Sequence, residues 1–349
     1  MSVLSEERLE EILSHLPSLK LAVVGDFFLD LYLEIDPLLS ERSLETGLEA
    51  YQVVGKRSEP GAAGTVCRNL ASLGVGTIFA VGVTGRDGAG FELRESLQEW
   101  SVDLSHLIET PDRFTPAYLK PLKTGNDRPP EEMNRLDIKN RRPITELLEE
   151  DILARLEELT GEVSGMILLD QVTEENCGVL TDRVVRGVKS LAARHSHKTF
   201  LADSRSRIDK FRGCTLKLNQ REATLIFEPD SSVEAPLTRI QEYATRLALE
   251  SDKPAFLTLG AAGVLACEKG TVSHVETIDL PPPLDIVGAG DSATAGIVCA
   301  LCCGGSVQEA AALGNIVASV TVQQIGTTGY AFPAQVRNQW KEFHDHGIL

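Results

Sequence analysis

The segment Asp285-Ile-Val-Gly-Ala-Gly-Asp-Ser292 runs directly into a small, apolar, helix-like stretch ending near residue 303. Glycines at 288 and 290 let the backbone turn tightly and expose amide N–H groups at a helix start. Those amides, from Gly288, Ala289, Gly290 and Asp291, join the positive end of the helix dipole to make an anion site. Asp291 falls in the first helical turn, beside whatever anion binds. A carboxylate there is electrostatically awkward for simple phosphate storage. It makes sense if it accepts a proton from a hydroxyl that attacks phosphorus. The same residues also read as GxGxxA, a dinucleotide fingerprint, but that motif follows the first strand of a βαβ unit. Here it follows Pro281-Pro-Pro283 near the end of the chain. No GxxxxGK[ST] occurs anywhere, which excludes a P-loop kinase.

The chain that holds this segment has 349 residues, 42% hydrophobic and 24% charged, enough apolar material for a substantial core and too much for a disordered chain. The length suits one large domain or two modest ones. The net charge of −17 argues against a nucleic-acid or membrane-surface binder, since phosphate surfaces would be repelled except at a local basic patch. No apolar run approaches the roughly 20 residues needed to cross a bilayer. The acidic, amphipathic start is unlike a signal peptide. A cytoplasmic protein is the expectation. Seven scattered cysteines fit reduced thiols rather than a disulfide framework. Cys299, Cys302 and Cys303 have no second CxxC or CxxH pair, so they read as small buried hydrophobes rather than metal ligands. His195 and His197 fall on the polar end of a helix and read as solvated.

Apolar runs alternate with 3.6-period helices along most of the chain. Strands are expected at Leu19–Val24, Thr77–Val81, Met166–Leu169, Thr199–Ala202, 215–218 and Phe256–Leu259, with a hairpin over Val264–Cys267 and Val272–Thr277. Helices are expected near 5–16, 61–73, 89–100, 145–160, 176–194, 236–250, 289–303, 306–324 and 333–343. Such alternation indicates an α/β fold, three layers deep, with a mostly parallel central sheet covered on both faces. Residues 31–57 and 113–140 break the rhythm. They carry shorter strand-like pieces, Tyr51–Val54 and Ala117–Leu122, and can pair as a small β lid over the site or as a contact between two copies. The core then comprises 1–30, 58–112 and 141–349.

Other clusters fall where an open α/β sheet binds ligands, at the carboxyl ends of strands. Gly25-Asp26 closes the first strand, and Asp26 can accept hydrogen bonds from polyol hydroxyls. Gly61-Ala-Ala-Gly64 opens a helix with little side chain to obstruct a ligand. Asn219 and Glu222 stand at i and i+3, hence on one helical face, suited to holding a hydrated magnesium ion near phosphates. Thr258-Leu-Gly-Ala-Ala-Gly263 ends a strand in a tight glycine turn.

In that order the clusters resemble the ribokinase (PfkB) family of carbohydrate kinases, over about 19–335. The family signature DTxGAGD is matched by Asp285 through Asp291, its NxxE motif by Asn219 and Glu222, and its nucleotide loop by Thr258, Gly260 and Gly263. Asn315 matches an Asn that lines the family's purine pocket, and Pro60–Gly74 loosely matches its amino-terminal glycine motif. Within the family, GDFFLDLY at 25–32, Arg135-Leu-Asp137 and the run 315–327 are most similar to heptose-7-phosphate kinases. A chain of this length has no room for the nucleotidyltransferase domain that accompanies some of them. The resemblance implies ATP and Mg2+, a catalytic base at Asp291, and an acceptor site from Asp26, Asp30, Gly61, Ala62, Thr65 and Arg135. It further implies a metal contact at Glu222, a monovalent cation such as K+ near Asp285 and Val287, and a homodimer formed through the lid.

Two departures bear on the acceptor. The family's second glycine and its asparagine in the first motif are Ala62 and Thr65 here, and threonine reaches less far. Asp203-Ser-Arg-Ser206 replaces a usual Asp-Pro-Lys-Gly, so Arg205 or Arg207 can serve a phosphate instead. Kinases for a nucleoside or another small alcohol, and a non-catalytic sugar or nucleotide sensor, remain alternatives.

Overall fold

Strand Lys20–Gly25 lies inside a nine-stranded sheet because its alternate residues serve two cores. Leu21 and Val23 join the apolar cluster on one face, and Ala22 and Val24 join that on the other. The structure is a computed structural model and describes residues 3–125 and 130–349; part of the expected 113–140 excursion, residues 126–129, lies outside them. The sheet runs Thr271–Val275, Val264–Glu268, Ala255–Thr258, Thr215–Asn219, Thr199–Ser204, Gly165–Asp170, Lys20–Gly25, Thr77–Gly85, Leu107–Thr110. All neighbours are parallel except the first two strands of that order, which form an antiparallel hairpin edge.

Helices Glu6–His15, Ala63–Leu73, Gly88–Glu99, Ala289–Cys302, Val307–Thr321 and Pro333–Asp345 cover one face. Glu146–Thr160, Asp182–Arg194, Gln220–Phe227 and Leu237–Ser251 cover the other. The three-layer α/β/α arrangement is the one expected from the sequence. The cysteine-rich helix packs closely on Val307–Thr321, since a Cβ at Gly296 would lie 2.8 Å from the Leu313 carbonyl oxygen. Cys299 is buried and Cys302 and Cys303 are half-buried, and among the described residues no group of three His, Cys, Asp or Glu side chains could hold a metal. No helix among the described residues is long and apolar enough to cross a membrane.

A second sheet projects from the carboxyl edge in the order Leu136–Ile138, Ala117–Lys123, Phe27–Ile35, Val53–Ala62, with Glu131–Glu132 also paired to Ala117–Lys123. Two strands cross the expected boundaries: Phe27–Ile35 begins four residues before 31, and Val53–Ala62 runs five past 57. One residue, Asp26, is the whole connection from the main sheet to the second. The expected helix at 176–194 begins only at Asp182, capped by the Thr181 side chain. Residues 171–179 are instead a loop whose N–H groups point at Asp26.

Candidate active site

Gly288 adopts φ 80°, the left-handed region, and caps helix Ala289–Cys302 with no side chain of its own. The amides that follow therefore open toward the cleft, with Asp291 in the first turn. Asp291 is half-buried, and its carboxyl is pushed up to about 7. Loss of hydration is the main cause and the negative charge of Asp203 the second, while Lys217 and Arg205 oppose them. A pKa near neutrality is what proton transfer at physiological pH requires.

Lys217 and Asp203 form a buried ion pair, Nζ to Oδ2 2.8 Å, beneath this turn. Thr294 Oγ1 donates to the Gly290 carbonyl at 3.0 Å and lies 3.4 Å from the same Asp203 oxygen. The Lys217 ammonium sits 3.1 Å from where a Gly290 Cβ would be, so glycine is what lets it reach the helix start. Burial disfavours its charge, but Asp203, Glu222 and Asp291 outweigh that and raise its affinity for the proton. The sequence reading missed Lys217. Its signal was a lysine inside the apolar strand Thr215–Asn219, where an unpaired charge would be costly.

Asn219 and Glu222 form a reciprocal capping box on helix Gln220–Phe227: Asn219 Oδ1 accepts from the Glu222 N–H and Glu222 Oε2 from the Asn219 N–H, both at 2.8 Å. Asn219 is thus the cap and not a residue of the helix, which revises the expected shared helical face. Burial and Asp203 raise the Glu222 carboxyl, opposed by Lys217. Beyond them opens a cavity of 550 Å³, lined among others by Asn219, Thr258, Gly260, Asn315, Ala289 and Gly290. That size suits a nucleotide. Asn315 is buried at its wall and donates from Nδ2 to the carbonyls of Val275 (2.9 Å) and Glu276 (3.1 Å). Gly263 closes the adjoining turn where a Cβ would meet the Val275 oxygen at 2.2 Å. Asp285 accepts from the N–H groups of Val287 (3.1 Å) and Gly326 (2.9 Å), which ties the loop before the anion site.

The acceptor side differs from expectation at two residues. Asp26 is buried and accepts from the N–H groups of Gln171 (3.0 Å), Val172 (3.1 Å) and Val179 (2.7 Å). Burial raises its carboxyl to about 6 against the pull of those three donors. Both oxygens are engaged in holding the 171–179 loop, so Asp26 is a strut and not a group free for a polyol. Thr65 is also buried, its hydroxyl donating to the Pro60 carbonyl at 3.1 Å. Its methyl comes 3.6 Å from the Cβ position of Gly288, so it packs under the anion site instead of facing a sugar.

Asp30 pairs with Lys120 at 3.1 Å, and its carboxylate lies 3.2–3.3 Å from the Cβ position of Gly61. Ala62 adopts φ 53°, ψ −118°, a conformation that favours glycine. Ala62→Gly is therefore expected to raise the unfolding free energy by about 1 kcal/mol, seen as a higher urea midpoint at unchanged slope. An unchanged or lower midpoint would show that the turn is unstrained. Arg135 immediately precedes the lid sheet's edge strand Leu136–Ile138 and is exposed, bidentate to Asp137 (2.6 and 2.9 Å) and 4.1 Å over the Tyr118 ring.

The carbohydrate-kinase resemblance holds in comparison with known proteins. The chain is 28% identical over 341 residues to the bifunctional protein HldE of Geobacter metallireducens, covering 95% of this chain and 65% of that one. It is 29% identical over 332 residues to the HldE of Caulobacter vibrioides, covering 91% and 64%. It thus spans about two thirds or slightly less of those relatives' length. In fold it is similar to Arabidopsis thaliana ribokinase complexed with ribose and ATP, with TM-score 0.67, 18% identity and coverage of 93% and 99%. Thermotoga maritima ribokinase gives TM-score 0.66 at 18% identity, with the same coverage. The pfkB family carbohydrate kinase model matches residues 20–334, from the first strand of the main sheet to the start of helix Pro333–Asp345, and the chain belongs to that family.

Proposed function

We propose that the protein is an ATP-dependent kinase transferring the γ-phosphoryl group to a hydroxyl of a sugar that already carries a phosphate, with a heptose 7-phosphate as first candidate. The observation carrying the acceptor class is a row of cations on one face of the lid sheet. Arg57, Tyr32 and Lys120 are partners across three strands, and Arg135 follows in register just before the Leu136–Leu119 pair. The neighbouring row holds Glu59, Asp30, Tyr118 and Asp137. Arg57 stacks 4.0 Å from the Tyr32 ring centre and Lys120 lies 4.7 Å from it, which fixes both. In these two rows Arg57, Lys120, Arg135 and the nearby Arg68 meet three acids, Glu59, Asp30 and Asp137, each of them paired, while the next row of the face carries Glu34 and Glu132. Rows on one face lie about 6.5–7 Å apart. A sugar hydroxyl at Asp30 would therefore put a distal phosphate against Arg57, Lys120 and Arg135.

On this reading ATP lies in the 550 Å³ cavity with its base toward Asn315 and Thr258 and its phosphates toward Gly288–Asp291. Asp291 takes the acceptor's proton as its oxygen bonds to phosphorus and ADP leaves. The amides of 288–291, Lys217 and Arg205 absorb the charge on the migrating group. Magnesium fits as an ion held mainly by ATP phosphates and water, with Glu222 as its one outer carboxylate, and would supply charge neutralisation. A potassium-sized ion fits the carbonyls of Asp285 and Val287, which receive no N–H among the described residues. The lid closes over the acceptor and excludes water. Its exposed Leu38, Leu44, Leu48 and Val53 suit a homodimer contact, which sedimentation velocity would reveal as a species of twice the chain mass.

An ADP-release panel over hexoses, heptoses, their phosphates and nucleosides tests the reading. Activity is expected only with phosphorylated sugars, and Lys120→Ala should raise the acceptor KM about tenfold or more while leaving the ATP KM within twofold. Equal activity on the unphosphorylated sugar, or on nucleosides, would contradict it.

A further inference from the structure

Glu59 holds the lid to the loop beneath the anion site. Its buried carboxylate accepts from Thr327 Oγ1 (3.1 and 3.2 Å) and Thr328 Oγ1 (3.1 Å), and pairs with Arg57 and with Arg68 at 3.4 Å. Two residues earlier on the same strand, Arg57 donates to the Gly326 carbonyl at 2.9 Å. Residues 57 and 59 thus grip three consecutive residues, 326–328. Arg68, from helix Ala63–Leu73, closes the ring by donating to the carbonyl and hydroxyl of Thr328.

That loop is what the anion site leans on. The Gly326 N–H donates to Asp285 at 2.9 Å, and Asp285 in turn receives the Val287 N–H. Thr328 Cβ stands 3.2 Å from the Cβ position of Gly288, so Thr328 abuts the residue whose left-handed turn aims the amides. On its other side Glu59 is the strand partner of Asp30. One carboxylate therefore joins the acceptor's rung of the lid to the phosphate's turn in the core. In the reading above Glu59, Thr327 and Thr328 meet neither ATP nor the acceptor, and act through Arg57, Asp30 and Gly288, which do.

We infer that Glu59 is a positioning residue that sets the acceptor strand at a fixed distance from the Gly288–Asp291 turn. The functional consequence rests on the kinase reading above. Phosphoryl transfer needs the attacking oxygen in line and about 3–3.5 Å from phosphorus, so a displacement near 1 Å costs about a hundredfold. Loosening the strut misaligns the acceptor with the γ-phosphate, while ATP keeps its base in the cavity at Asn315 and Thr258 and binds nearly as before. Water can then compete for the phosphoryl group.

The test compares wild type with Glu59→Gln and Thr327→Val. Glu59→Gln is expected to lower kcat about 10–100-fold, leave the ATP Kd within twofold, and raise ATP hydrolysed per sugar phosphorylated at least about fivefold. Thr327→Val, which keeps the ion pairs, should show the same pattern more weakly and carries the test if Glu59→Gln does not fold. The double variant should be little worse than Glu59→Gln alone, as expected for partners in one contact. Independently of any activity, amide exchange at 285–292 should accelerate at least about tenfold in both variants. A kcat within twofold of wild type, fully additive effects, or unchanged exchange at 285–292 would overturn the inference. Accelerated exchange in a protein whose wild type phosphorylates nothing would uphold the strut and overturn the kinase reading instead.

Discussion

Asp291→Asn is expected to bind ATP with a Kd within twofold of wild type and to lose about 10²–10⁴-fold in kcat, the range for removing a general base. Calorimetry with a non-hydrolysable ATP analogue and steady-state kinetics read the two halves. Near-normal turnover would remove Asp291 from the chemistry. The same variant should be more stable than wild type at alkaline pH. The folded carboxyl titrates at about 7 against an ordinary value of 3.8, because burial and Asp203 penalise its charge. Its raised value means that the folded state holds the proton longer than the unfolded one, so wild-type stability falls as pH rises between these two values. Asn carries no such penalty. The gain in melting temperature should grow from about pH 4 to pH 7 and stay level above, and a gain that does not vary with pH would contradict this cause.

Lys217→Met should produce the largest loss of stability, about 3–5 kcal/mol at pH 8, measured by urea unfolding. The methionine fills the stem's volume but leaves Asp203 buried and unpaired; both side chains are less than one-tenth exposed. The companion Lys217→Met/Asp203→Asn should recover most of the loss, since the unpaired charge is gone. Without that recovery, the cost would lie in packing and not in the charge. Where the single variant still folds, its rate should decline at higher pH than wild type, because Lys217 is the main group holding the Asp291 carboxyl down.

Much of the fold was legible because the main-sheet strands are short apolar runs whose alternate residues face two different cores, as at Leu21–Val24. The turn that opens helix Ala289–Cys302 was legible for a different reason: Gly288 and Gly290 are required by backbone geometry and by close approach, and both demands leave glycine in the sequence. Strand Phe27–Ile35 was missed because only Asp26 separates it from the preceding strand, and no turn residue marks the change of sheet. Asp26 looked like a ligand group for the same reason. Its real partners, the 171–179 amides, are about 150 residues away and carry no side-chain signature. Distance also hid Glu59, whose threonine partners follow it by 268 and 269 residues. Backbone demands and apolar period can be read locally. Pairings of polar side chains across such separations cannot.

The pH dependence of kcat/KM for the wild-type enzyme with the phosphorylated sugar proposed as its acceptor tests most directly whether Asp291 is the proton acceptor. Because the free enzyme must present an ionised carboxylate, the rate should fall tenfold per unit below a single midpoint near 7, and Asp291→Asn should abolish that limb. A profile flat from pH 5.5 to 8.5, or an acid limb that survives in Asp291→Asn, would contradict it.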